Sequence, residues 1–95
     1  MDLYLIRRRK AFRPDEVRAT VARASAEAER MPDQLRHIRS YLVDEGDGWL
    51  GTTCVYEATG PRAIRAHARA SGLPANEITA VANTAISRPD PDRGG

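Results

Sequence analysis

Leu35-Arg36-His37-Ile38-Arg39-Ser40-Tyr41-Leu42-Val43, then Asp44-Glu45-Gly46-Asp47-Gly48, then Trp49-Leu50-Gly51-Thr52-Thr53-Cys54-Val55-Tyr56-Glu57: this stretch decides the fold. Two alternating segments rich in β-branched and aromatic residues flank a turn of Asp and Gly, the pattern of an antiparallel hairpin. The first segment sets Ile38, Ser40 and Leu42 against His37, Arg39 and Tyr41. The second sets Leu50, Thr52, Cys54 and Tyr56 against Trp49, Thr53 and Val55. The register stays open at this level. A four-residue loop puts Arg39 opposite Cys54 and His37 opposite Tyr56 on one face, whereas a three-residue loop separates them.

Working outward, each side of the hairpin carries a helix and then a strand. Upstream, Pro14 takes a favoured first helical position, and Asp15 and Glu16 complement the helix N-terminus. Val17, Val21, Ala24 and Ala28 recur at helical spacing until Pro32 stops the run. Downstream, Thr59 or Gly60 caps a helix starting at Pro61, with Ile64, His67, Ala68 and Ser71 on its inner stripe and Gly72, then Pro74, ending it. The outer strands are Leu3 to Lys10, where Leu3 and Leu5 oppose Tyr4 and Ile6, and Glu77 to Ile86. Residues 1–87 therefore read as one α+β domain in the order βαββαβ. Two right-handed βαβ halves interleave into a ferredoxin-like sandwich, a four-stranded antiparallel sheet of order 4-1-3-2 with both helices on one face. Residues 88–95 have nothing to bury and read as a flexible C-terminal tail.

Composition narrows the function. The 95 residues are 41% hydrophobic and 29% charged, as in a packed globular domain. Fifteen basic residues against 13 acidic leave a net charge of only +2, which argues against nucleic acid as a partner. A lone cysteine, Cys54, excludes an internal disulfide and any zinc site built on paired cysteines. No signal-peptide pattern and no membrane-spanning run is visible, so a cytoplasmic protein with no membrane partner is expected. Bulk on both faces of the first strand, with only two short helices to cover one of them, predicts a homodimer paired through the open sheet face.

Few residues carry chemistry. His67 reads either as a core histidine satisfied by backbone or as a ligand or acid-base group. Cys54 reads as a small buried hydrophobe or, near His37, as half of a soft donor pair; His, Cys and a carboxylate such as Glu57 suit nickel or zinc. No two of these residues show metal-motif spacing. Glu57 otherwise reads as a solvated strand end, the turn acids Asp44, Glu45 and Asp47 as a solvated hairpin tip, and Arg7 to Lys10 as a solvated strand end that blunts an edge. No phosphate loop, nucleophile elbow or His-Glu-x-x-His helix is present.

Ile38-Arg39-Ser40-Tyr41-Leu42, Cys54-Val55-Tyr56-Glu57-Ala58 and Ile64-Arg65-Ala66-His67-Ala68-Arg69-Ala70-Ser71-Gly72-Leu73-Pro74-Ala75 together resemble a bacterial family of small domains with nickel-binding or nickel-responsive members. The resemblance implies a ferredoxin-like dimer of the α/β-barrel type, and its motif positions fall on Cys54, Tyr56, Glu57 and His67. His37 stands where the family pattern has an aromatic residue, and the turn is longer and more acidic. The resulting expectation is a protein that binds Ni(II) for sequestration or response, without catalysis, with His37, Cys54, Glu57 and His67 as candidate ligands. The rival expectation is an enzyme or small-molecule binder with a pocket between sheet and helices, around Tyr41, Tyr56 and His67. A plain dimeric interaction module is the third.

Overall fold

The computed structural model describes residues 1–91 and follows the order β1 (Asp2–Phe12), α1 (Val17–Glu29), β2 (Leu35–Gly46), β3 (Trp49–Ala58), α2 (Pro61–Ser71) and β4 (Glu77–Ala80). The sheet order is β2-β3-β1-β4, all antiparallel, as the interleaved βαβ halves predict. Of the expected tail, residues 92–95 lie outside the described residues. No helix among the described residues is long and apolar enough to cross a membrane.

Local chemistry accounts for the element ends. A 3-10 turn over Pro14–Glu16 leads into α1, and the Arg13 backbone N–H donates to the Glu16 carboxylate at 2.7 Å. Gly72 closes α2 in the left-handed conformation, φ +72°, and Leu73 N–H reaches back to the Ala68 carbonyl at 2.8 Å. The hairpin turns through Asp47 and Gly48, both at positive φ, which matches the twist of the two strands. That loop is tighter than either of the two expected.

Three irregularities then set the faces, the first between Asp44 and Gly46, where β2 meets the turn. Through residues 39–44, β2 pairs so that Ser40 lies opposite Cys54, the three-residue-loop register. A bulge at Ile38 slips the strand by one, so His37 lies opposite Tyr56, as the four-residue-loop register requires. His37 therefore joins Ser40 and Leu42 on the helix side, correcting the simple alternation that set them apart. On β1 the third lies between Arg8 and Phe12, with Lys10 at φ +46°.

The core lies between the sheet and α2. Tyr4, Ile6, Leu35, Cys54, Tyr56 and Ala58 meet Ala63 and Ile64 there. Contact with α1 is slighter: only Ala28 is buried, and Val21 is 45% exposed. Two polar ties hold α1 to α2, His67 to the Ala24 carbonyl at 2.8 Å and Arg23 Nη1 to the Ser71 carbonyl at 3.2 Å. The last strand is shorter than expected. It stops at Ala80, with one further bond from Val81 N–H to the Leu3 carbonyl. Further on, Asp90 accepts from the Tyr41 hydroxyl at 2.6 Å and from Arg39 at 3.2 Å.

Candidate functional site

The inner strands β1 and β3 carry the polar groups that face the helices. Alternation along β3 turns Thr52, Cys54 and Tyr56 inward, and the same rule on β1 turns Tyr4, Ile6 and Arg8 inward. Tyr56 stands between two imidazoles, with ring centroids 5.0 Å from His37 and 5.4 Å from His67. Burial pushes its phenol up to about 12, against a weaker opposing pull from Arg8, so the hydroxyl keeps its proton at neutral pH.

Next to this trio, Ser40 Oγ sits 2.7 Å from His37 Nε2 and 3.1 Å from Cys54 Sγ, one hydroxyl bridging an imidazole and a thiol. Arg8 Nη1 lies 3.5 Å from the same sulfur. His37 keeps much of its surface in solvent, yet packing desolvates it enough to lower its pKa below the ordinary 6.5. The Arg39 backbone opposes that shift, and His67 adds to it. The imidazole is therefore neutral, with a lone pair, at pH 7.

Because α1 leaves part of the sheet uncovered, a cavity of about 280 Å³ opens between them, lined by Arg8, His37, Ser40, Thr52, Cys54 and Tyr56 on its polar side. Phe12, Val17, Val21, Leu42 and Leu73 make the apolar side.

The four expected ligands do not gather at one point. His37 and Cys54 meet through Ser40 at the cavity. His67 is 1% exposed and does not reach the cavity wall; its Nε2 carries a proton, since its partner, the Ala24 carbonyl, can only accept. Glu57 faces the opposite side of the sheet, paired with Arg36 at 3.8 Å. Among the described residues no three His, Cys, Asp or Glu side chains are placed to share one ion. Of the expected pocket residues, Tyr56 lines the cavity while Tyr41 lies on the open face. The charge run also divides: Arg9 and Lys10 are exposed, whereas Arg8 is 4% exposed. Glu45, expected at a solvated tip, is paired with Arg7 instead.

Arg8, Ser40 and Thr52 were not among the expected site residues. The signal for Arg8 was in the alternation, which places it with Tyr4 and Ile6; its charge suggested the opposite. Ser40 meets Cys54 by simple pairing, but His37 reaches the same hydroxyl only through the Ile38 bulge, which no pattern announces.

Fold and site together define a small α+β sandwich of ferredoxin-like type, with a cavity lined by Cys, His and Arg under its helices. The chain belongs to the family described as nickel responsive protein SCO4226-like, whose model matches residues 4–81 and which agrees with the resemblance seen in the Cys54 to Ala58 and Ile64 to Ala75 segments. The fold is similar to that in the crystal structure of SCO4226 from Streptomyces coelicolor A3(2), with a TM-score of 0.68 and 17% identity over 87% of this chain and 99% of that one. No curated protein matches the sequence.

Proposed function

We propose that this chain is a non-catalytic Ni(II)-binding protein acting in sequestration or response, and that the ion is taken up between His37 and Cys54. The observation that carries this reading is the Ser40 hydroxyl held between His37 Nε2 at 2.7 Å and Cys54 Sγ at 3.1 Å. Imidazole and thiolate are donors that suit a borderline ion and bind magnesium or calcium poorly. The family's nickel-responsive description supports the choice of metal. Two donors do not complete a coordination sphere, so water fills the other positions in this reading. Glu57 faces away and His67 is engaged, so neither is needed. The setting we propose is cytosolic, where Cys54 stays reduced and available as a ligand.

Calorimetric titration of the purified protein with Ni(II) is the test. Saturable binding tighter than millimolar is expected, weakened by about ten-fold or more in His37→Ala and in Cys54→Ser. Glu57→Gln should leave it unchanged. Binding weaker than millimolar, or binding unaltered when His37 and Cys54 are both replaced, overturns the reading.

We also propose that two copies pair through the open sheet face, with no nucleic acid or membrane as partner. Leu5 at 36% and Tyr41 at 43% exposure, beside half-buried Leu3 and Val55, make that face apolar without a cover of its own.

A further inference from the structure

Arg8 is a buried cation without an anion. Its Nε donates to the Pro74 carbonyl at 2.6 Å and its Nη1 approaches Cys54 Sγ, but its Nη2 meets no acceptor. Among the described residues, no carboxylate forms an ion pair with it. Directly across the β1–β3 ladder, Thr52 Oγ1 is also buried and unpartnered. Burying such groups unmatched is costly, and a guanidinium is satisfied best by an oxyanion that accepts from its fork.

Both groups line the polar side of the cavity described above, across from its apolar side. Its volume of about 280 Å³ lies at the small end of ligand pockets. Val21 and Leu42, at 45% and 51% exposed, line it as well, so its mouth lies between α1 and β2. One cation beside a hydrocarbon wall matches a singly charged organic acid better than a bare inorganic ion, which would leave the wall unused, or a dianion, whose second charge would have no partner.

We propose that this cavity binds a small monocarboxylic acid with a compact aliphatic or aromatic body, its carboxylate on Arg8 Nη2 and the Thr52 hydroxyl, its body against Phe12, Val21, Leu42 and Leu73. The proposal does not rest on nickel, because neither anchor belongs to the His37 and Cys54 pair.

The test uses the full chain in metal-free buffer, titrated with octanoate and benzoate, with octan-1-ol and benzyl alcohol, and with inorganic phosphate, followed by calorimetry and amide chemical shifts. At least one acid should saturate, moving the amides of Val21, Leu42, Thr52 and Cys54, and should bind about ten-fold or more tighter than its alcohol. Phosphate should not saturate. Arg8→Met should abolish the preference for acid over alcohol, and Thr52→Val should weaken the acid several-fold while leaving the spectrum dispersed. If Arg8→Met fails to fold, the acid and alcohol comparison on the unaltered protein decides alone. An alcohol binding as tightly as its acid, phosphate binding as tightly as either acid, or no saturation by either acid, overturns the proposal.

Discussion

His37 and Tyr56 pack against each other with their rings tilted by 46°, and the same loss of water shifts their pKa values in opposite directions, each toward the neutral form. Desolvation disfavours the imidazolium, so the folded pKa of His37 falls below 6.5. Its contribution to stability is present above 6.5 and is lost as pH falls through the lower folded value. The neutral ring is also the form that binds metal, so Ni(II) uptake should persist at pH 6.5 and disappear on further acidification. An NMR titration of the His37 ring with a midpoint at or above 6.5 would contradict this. For Tyr56 the charged form is the phenolate. With the folded pKa raised from 10.0 to about 12, stability is intact below pH 10 and declines as pH rises through 12. That rise corresponds to a loss on the order of 3 kcal/mol across the window. Tyr56→Phe should remove this part of the alkaline decline in denaturant unfolding measured from pH 9 to 12; equal slopes in the two proteins would refute it.

The helices and strands meet at few points, which makes single contacts between them consequential. α1 buries only Ala28, so the His67 bond to the Ala24 carbonyl is a main tie between α1 and α2. His67→Ala leaves both a cavity and an unsatisfied carbonyl, and should cost about 2–4 kcal/mol in urea unfolding. Ni(II) affinity should stay within about two-fold of the unaltered protein, since His67 lies outside the proposed ligand pair. A stable variant that fails to bind nickel would reverse the roles assigned to His67 and His37. Between β1 and β3, Gly51 allows a close approach: a Cβ there would stand 2.5 Å from the Arg8 carbonyl oxygen, a backbone atom beside the β1 bulge. Gly51→Ala should therefore destabilise the fold by about 1–3 kcal/mol, read as a lower denaturation midpoint. An unchanged midpoint would show that the bulge yields freely.

The two faces of the sheet differ in how they are closed. The helix side has a core and a cavity, while the open side presents Leu3, Leu5 and Val55 with charged neighbours such as the Arg7 and Glu45 pair. Pairing two such faces would remove the apolar strip from water, and a standard interface of about 800 Å² per subunit is within reach of a four-stranded sheet. Light scattering with gel filtration should give twice the 10.5 kDa chain mass at micromolar concentration, and Leu5→Lys should give the single-chain mass. A 10.5 kDa species from the unaltered protein would end the dimer proposal. Neither His37, Cys54 nor His67 faces that side, so a nickel site shared across it would have only carboxylates such as Glu57 to offer.

The order of elements, the caps at Pro14, Pro61 and Gly72, and the inward stripe of α2 could all be read from the chain, because capping and periodicity act over a few residues. So could the alternation that turns Cys54 and Tyr56 inward, and with it the apolar strip on the open face. The pairing of His37 with Cys54 could not. It depends on the bulge at Ile38, which shifts β2 by one residue against β3 between the Arg39–Val55 and His37–Tyr56 pairs. Arg8 shows the same division: its face follows from alternation, but its burial depends on contacts such as that of its Nε with the Pro74 carbonyl, far along the chain. Short-range patterns place side chains on faces; which of those side chains meet, and what space remains between them, depends on contacts between residues far apart in the chain.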